Sequence, residues 1–207
     1  MAVNPYFNPT LYFLGRYITG TSFDVIWRRK VFGRENIPPE GQATIFAANH
    51  RSLADPNLVG SAIPYPVNYF TKEELFRVPV LGWYVRRVNA FPVNRLSADI
   101  GAIKTAQRIL AAGESLLIFP EGGRRLDPET QWQVKPGIGL LACSTGAQVV
   151  PVGIWNSEKF TRLGRIEVRF GKPLQPPQNA QREDYTSFSQ QVIGRIRELV
   201  ETGGRPH

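Results

Sequence analysis

The segment Asn49-His50-Arg51-Ser52-Leu53-Ala54-Asp55-Pro56 holds the one histidine that is not the terminal residue, and it sets a carboxylate five positions downstream. A neutral imidazole accepts a proton near neutral pH, and an aspartate bonded to its far ring nitrogen fixes the tautomer that can do so. His50 and Asp55 are therefore a candidate general base and its orienting carboxylate. A second reading competes, because Asp before Pro is a common helix N-cap and a lone histidine is often a satisfied loop residue. The run from Gln42 to Ala48 is apolar and β-prone, whereas Pro56 disfavours a helical Asp55 and suits the first turn of a following helix. The pair is thus expected on a strand-to-helix turn.

A second group of residues with chemical capacity is Phe119-Pro120-Glu121-Gly122-Gly123-Arg124-Arg125. Two glycines leaving an apolar strand allow a tight turn with exposed amide N–H groups, and the guanidinium forks match phosphate oxygens. The alternative is a generic Gly-Gly turn with solvated arginines. Two further patterns carry less. Gly137-Ile138-Gly139-Leu140-Leu141-Ala142 fits a dinucleotide fingerprint, but Lys135-Pro136 and a polar stretch precede it where a buried strand is required. Ala142-Cys143-Ser144-Thr145-Gly146 has the spacing of a degenerate nucleophile elbow, yet it lies between a helix and a strand, the reverse of the order that elbow needs.

The elements that must position these groups follow from periodicity and punctuation. Asn8 caps and Pro9 opens a first helix with Leu11, Leu14 and Ile18 at helical spacing, which Thr21-Ser22 is expected to break and restart. Strands are expected over 28–35, 42–48, 67–70, 88–93, 115–119, 148–154 and 166–170. A short helix should follow Pro56, a helical start should occupy 72–76, and 138–144 should be helical. The clearest helix runs from a Ser97 cap through Ile100, Ile103, Ala106 and Leu110 to Gly113. The last one carries Tyr185, Phe188, Val192, Ile196 and Leu199 on one stripe. Ser115 to Phe119 is the kind of apolar strand buried on both faces of a parallel sheet. Alternating strands and helices predict an α/β fold, a single domain with a mostly parallel or mixed sheet covered by helices on both faces. Its organisation is a 1–27 N-terminal aromatic helical segment, expected to dock on a membrane, followed by a 28–207 catalytic domain.

Composition bounds the function. A chain of 207 residues with 42% hydrophobic and 20% charged residues is an ordinary globular domain. One cysteine and two histidines argue against a disulfide framework or a structural zinc site. No metal or other cofactor is expected, and the compartment should be reducing. The net charge of +8 calls for an anionic partner, either nucleic acid, acidic lipid or a phosphorylated substrate. Nucleic acid is disfavoured, because no binding module and no aromatics interleaved with basic residues along a strand pair are visible. No segment reads as spanning a bilayer.

The pattern Asn-His-x-Ser-x-x-Asp resembles the signature of the glycerolipid acyltransferases, the family of 1-acylglycerol-3-phosphate (lysophosphatidate) acyltransferases. Phe119 to Arg124 is similar to that family's Phe-Pro-Glu-Gly-x-Arg motif, which in relatives contributes to acceptor and phosphate binding. Asn89-Ala90-Phe91-Pro92-Val93-Asn94-Arg95 resembles the block between them, with Asn94 where relatives often carry Asp. Val150-Pro151-Val152-Gly153-Ile154 resembles the fourth block, and Lys72 stands where relatives commonly carry a phosphate-facing lysine.

The resemblance implies transfer of a fatty acyl group from acyl-CoA or acyl carrier protein to the free hydroxyl of 1-acylglycerol-3-phosphate, giving phosphatidic acid. Glycerol-3-phosphate or another lysophospholipid as acceptor, or a non-catalytic lipid-binding role, are the alternatives. Under that resemblance His50 takes the hydroxyl proton and Asp55 orients it. Arg124, with Lys72 and Arg95 behind it, meets the acceptor phosphate. Glu121, Gly122 and Gly123 complete the substrate loop, with the glycine amides as candidates for holding an oxyanion.

The N-terminal segment bears on where the protein works. Of 23 aromatic residues, Tyr6, Phe7, Tyr12, Phe13, Tyr17, Phe23, Trp27 and Phe32 fall in the first 32 positions. They either pack a hairpin on the sheet or, with Arg16, Arg28, Arg29 and Lys30, dock on anionic lipid. The second reading predicts a peripheral protein on the cytoplasmic face of a membrane.

Overall fold

The computed structural model describes residues 4–93, 100–124 and 136–204. Its strands are β1 (Lys30–Phe32), β2 (Thr44–Ala48), β3 (Val67–Lys72), β4 (Ala90–Val93), β5 (Ser115–Ile118), β6 (Gln148–Trp155) and β7 (Glu167–Phe170), in spatial order β1-β7-β6-β2-β5-β3-β4. Neighbours are parallel except β6 with β7. The helices are α1 (Pro9–Ile26), α2 (Asp55–Gly60), α3 (Pro79–Arg87), α4 (Ile100–Ala111), α5 (Gly137–Thr145) and α6 (Arg182–Glu201).

Every residue of β2 is buried, because both faces of the sheet are covered. On one face Phe46, Ala48, Leu117 and Val150 meet Phe23 of α1 and Leu58 of α2. On the other, Ile45, Leu116 and Val149 meet Ile109 of α4, Leu141 of α5 and Val192 of α6. This is the expected mixed α/β sheet with helices on both sides.

Several expectations change in detail, each for a local reason. The strand expected over 28–35 shrinks to β1, because Arg28 and Gly33 both take left-handed backbone and bound it. The strand expected from residue 88 begins at Ala90, after Asn89 does the same. The helical start at 72–76 is a 3-10 segment, Glu73–Arg77. The Arg-rich stretch that follows contains α3, whose opening Pro79 is a helix-start signal. Phe188, Val192 and Ile196 of α6 are buried as expected, with Ser189 and Ile193 widening the stripe. The Ser97 cap lies outside the described residues.

The first helix departs furthest. Asn8 Oδ1 accepts the Leu11 N–H at 2.9 Å with Pro9 opening the helix, as expected. Thr21-Ser22 does not interrupt it, since helical hydroxyls find acceptors one turn back: Ser22 Oγ donates to the Ile18 carbonyl at 2.8 Å. The core face is not the expected Leu stripe. Leu14 and Ile18 are 53% and 55% exposed, whereas Tyr12 and Phe23 are buried. The aromatics bring more apolar area, and the Tyr12 hydroxyl accepts the Val67 N–H at 3.1 Å, which a leucine could not do. Arg29 closes the helix onto α2 by donating to the Leu58 carbonyl at 3.0 Å and to Ser61 Oγ. Among the described residues, no helix is long and apolar enough to cross a membrane.

Gly139 accounts for one of the sequence's misleading patterns. A Cβ there would overlap the Tyr185 carbonyl oxygen, so the glycine permits α5 to cross α6 closely, and its N–H donates to Ser189 Oγ at 3.0 Å. The glycine spacing thus has a packing cause.

The last strand is held by a buried carboxylate. Glu167 is fully buried and accepts from Arg169 Nη2 at 2.7 Å, from Arg169 Nε at 3.1 Å and from the Gly204 N–H at 3.2 Å, and it pairs with Arg165 at 2.6 Å. Burial pushes its carboxyl up. The Arg169 hydrogen bonds, the Gly204 amide and the charges of Arg169 and Arg165 together outweigh that push and hold it below the usual range. A depressed carboxyl contributes stability that is full above the unfolded pKa of about 4.3 and is lost as pH falls through the folded value. Glu167→Gln is therefore expected to lower unfolding stability at pH 7 by about 3 kcal/mol, since the buried Arg169 guanidinium loses its counter-charge. Urea titrations across pH should show wild-type stability falling on acidification below about pH 4.3 and a flatter profile in the variant. An unchanged midpoint at pH 7 would contradict this role.

Candidate active site

The carboxyl edges of β2, β5 and β3 lie side by side, which is where open α/β sheets present their sites. β2 runs directly into Asn49 and His50, and the chain then turns back so that Asp55 opens α2. Asp55 is inside the first helical turn, not before it, and Ala54 is the N-cap residue without a side-chain bond. The helix-cap reading of this aspartate is thereby removed. The bias of a residue preceding proline is overcome by what the carboxylate gains on turning inward.

Asp55 is fully buried, and its Oδ2 lies 2.9 Å from His50 Nδ1. The same oxygen accepts the backbone N–H groups of Arg51 and Ser52, each at 2.7 Å. With a carboxylate as acceptor, Nδ1 is the protonated ring nitrogen and Nε2 keeps its lone pair. His50 is only 6% exposed, and its ring stacks on Phe119 with centroids 4.1 Å apart and planes at 23°. The imidazole is thus held from both the ring edge and the ring face, and Nε2 can take a proton from a group placed beside it.

Other residues hold this turn in place. Asn49 is fully buried; its Nδ2 donates to the Ile154 carbonyl at 2.9 Å and its Oδ1 accepts the Ile154 N–H at 2.7 Å, tying the end of β2 to β6. Arg51 faces Glu158 at 3.5 Å across the edge. The His50 N–H donates to Glu121 Oε1 at 3.2 Å. Asn49, Phe119 and Glu158 were not singled out for these tasks by sequence reasoning. The one visible signal was an asparagine at the mouth of a mostly apolar strand, where a polar side chain must find partners.

The expected substrate loop leaves β5 beside the histidine. Glu121 braces the His50 backbone, so the structure gives it a supporting contact. Gly122 takes φ +73° and its N–H donates to the Phe119 carbonyl at 3.0 Å. Its amide is engaged in the turn. Arg124 is exposed at the end of the described loop, and Lys72 is exposed at the end of β3. Continuing the β3–β5 register brings Lys72 level with Pro120, on the same edge as His50. Arg95 and Asn94 lie outside the described residues.

An aspartate-oriented histidine and a glycine loop ending in Arg124 thus share one carboxyl edge of an α/β sheet, an arrangement that can accept a proton from a group placed beside the ring. Residues 28–155 match the model of the family described as Acyltransferase, and the chain belongs to that family. It is 29% identical over 177 residues to the 1-acyl-sn-glycerol-3-phosphate acyltransferase of Bacillus subtilis (strain 168), covering 82% of this chain and 87% of that one. It is 30% identical over 145 residues to the enzyme of the same name from Streptococcus pneumoniae, covering 68% of this chain and 53% of that one. The chain spans about half the length of relatives from Chlamydomonas reinhardtii and Arabidopsis thaliana, 48% and 50%. The crystal structure of the 1-acyl-sn-glycerophosphate (LPA) acyltransferase PlsC from Thermotoga maritima superposes with a TM-score of 0.74 at 26% identity, covering 95% of this chain and 81% of that one.

The Asn49 clamp generates a prediction. Asn49→Ala leaves the buried Ile154 N–H and carbonyl unpaired, at about 1–3 kcal/mol for each group. Denaturant unfolding should show a loss of about 2 kcal/mol or more. An unchanged midpoint would mean that the His50 turn is held without it.

Proposed function

We propose that the protein is a 1-acylglycerol-3-phosphate O-acyltransferase that moves a fatty acyl group from acyl-CoA or acyl carrier protein to the free hydroxyl of lysophosphatidate. The observation that carries this reading is the 2.9 Å contact between His50 Nδ1 and Asp55 Oδ2, which leaves Nε2 as the base, in a member of the acyltransferase family. A thioester is already activated, so the protein need only make an alcohol nucleophilic as it attacks. His50 Nε2 takes the hydroxyl proton while the oxygen bonds to the thioester carbonyl carbon. The C–S bond then breaks, and the imidazolium returns the proton to the departing thiolate, giving ester and thiol. Asp55 holds and stabilises the imidazolium. The Gly123 amide is the remaining backbone candidate for the oxyanion. Arg124 is assigned to the acceptor phosphate, with Lys72 and Arg95 in support, because a planar fork fits phosphate oxygens.

The reaction is assigned to a membrane surface, at which the protein is peripheral. An acceptor with a long chain stays in the bilayer, and the outward face of α1 supplies apolar contact: Tyr17 and Val25 are exposed beside Leu14 and Ile18. Arg28 and Lys30 stand at the helix end, giving the two signals that peripheral anchoring needs. The cytoplasmic face is the side on which acyl-CoA and acyl carrier protein would be met.

Purified protein assayed against lysophosphatidate, glycerol-3-phosphate and lysophosphatidylcholine, with each donor, is expected to form phosphatidic acid fastest. His50→Ala should lower kcat by roughly 10²- to 10⁴-fold with an unchanged far-UV spectrum. Failure to acylate lysophosphatidate from either donor would overturn the acceptor, and a His50→Ala variant retaining more than about a tenth of kcat would overturn the base. Co-sedimentation with acidic vesicles should be partly released by salt and weakened by Tyr17→Ser with Ile18→Ser. Equal binding to neutral vesicles, or none to acidic ones, would refute the docking.

A further inference from the structure

A cavity of about 270 Å³ lies between α1, α2, α3 and β3. It is close to the lower end of the size range of small-molecule pockets. Arg16 of α1 lines it, and the buried Nε of that guanidinium has no hydrogen-bond partner among the described residues. None of the described residues lining the cavity is acidic. A desolvated guanidinium nitrogen without a partner is costly, so the site is one that an oxyanion would complete.

The rest of the lining suits the same ligand. Tyr12, Tyr69 and Tyr84 all contribute, with the Tyr12 and Tyr69 hydroxyls 3.3 Å apart. Burial pushes all three phenols above their ordinary range, so each keeps its proton; one of the Tyr12 and Tyr69 hydroxyls donates to the other, which leaves the remaining O–H of that pair and the Tyr84 O–H to donate to a ligand. The charge of Arg16 opposes that rise at Tyr12 and Tyr69, which places its field on both hydroxyls. Glycines let the phenols close in. A Cβ at residue 60 would overlap the Tyr69 hydroxyl, and one at residue 15 would lie 2.8 Å from that of Tyr84. The rim is different in kind: Leu53, Leu75 and Leu81 line the cavity while remaining 76%, 38% and 38% exposed.

We propose that this cavity is a headgroup site for a phospholipid of net negative charge, held by Arg16 and the tyrosine hydroxyls while its chains leave across Leu53, Leu75 and Leu81. A free phosphate ion would meet the guanidinium but leave the apolar rim in water. Leu53 belongs to the turn that carries His50 and Asp55, so a lipid seated here braces that turn against the bilayer. The site is separate from the loop at Gly122 to Arg124, of which only the latter is assigned to the reacting acceptor. The inference rests on the bilayer-docking part of the proposed function; its test uses a soluble probe, so failure of docking and failure of this site read out separately.

Dihexanoyl phosphatidylmethanol has no free hydroxyl to acylate, is not the product of the proposed reaction and carries an anionic phosphate head. Added to the full chain, it is expected to raise Tm by at least about 2 °C, because a ligand that binds the native state stabilises it. The shift should vanish in Arg16→Ala, shrink in Arg16→Lys and in Tyr84→Phe, and persist in Arg124→Ala. Dihexanoyl phosphatidylcholine should give none, and inorganic phosphate at the same concentration much less. Without ligand, Arg16→Ala should melt at or above the wild-type temperature, since its Nε loses no partner. A shift that survives Arg16→Ala, or one abolished only by Arg124→Ala, would overturn the site. An equal shift with inorganic phosphate would overturn the lipid as its occupant. A ligand-free Tm more than a few degrees lower in Arg16→Ala would make the arginine structural and overturn the proposal as well.

Discussion

One carboxylate oxygen organises the site. Asp55 Oδ2 receives the His50 ring N–H and two backbone N–H groups, all within 2.9 Å, from residues that precede it in one tight turn. A fully buried carboxylate is tolerable only with donors of this kind, and here all three reach Oδ2 while Oδ1 has no partner among the described residues. Each of them is therefore placed by the charge as much as the charge is placed by them. The consequence for chemistry is a tautomer: with Nδ1–H fixed toward Asp55, the lone pair of Nε2 is the one that can face a substrate hydroxyl.

The fold exists, from this viewpoint, to deliver that turn to the right edge. β2 is buried along its whole length in the middle of the sheet, and the chain of its neighbours β5 and β6 supplies the groups that meet the turn after it. Ile154 of β6 is clamped by Asn49, and Glu121 after β5 meets the His50 backbone. Phe119 closes the ring face. Together these contacts hold the imidazole at its backbone, its ring edge and its ring face. On the far side of α2, α1 is joined by Arg29 and by the hydroxyl of Tyr12, which makes the aromatic N-terminal segment a wall of the molecule with one apolar face left outward.

The sequence was most legible where a single local rule decides. The mostly apolar strands, the Asn8 and Pro9 helix start, and the His50 to Asp55 spacing all announced themselves, and the expected sheet with helices on both faces is the one found. It was least legible where tertiary partners choose among equal local options. Helical spacing in α1 permitted a Leu14 and Ile18 face or a Tyr12 and Phe23 face, and only the sheet's need for buried aromatic area and an acceptor for Val67 selects the second. The ends of β1 and β4 depend on positive φ at Arg28 and Asn89, which no hydrophobic pattern encodes. The support of the histidine by Asn49, Glu121 and Phe119 joins residues up to 105 positions apart, so spacing in sequence could not reveal it.

The central claim, that Asp55 sets the tautomer of His50, is tested most directly by nitrogen-15 NMR of the imidazole in its neutral form. The chain has two histidines, one of them its terminal residue, so the His50 signal is assigned by its absence in His50→Ala. The account predicts a proton on Nδ1 and a bare Nε2 in the wild type, with the ratio moving toward the common Nε2–H form in Asp55→Ala. An Nε2–H tautomer in the wild type, or a spectrum unchanged by Asp55→Ala, would contradict it.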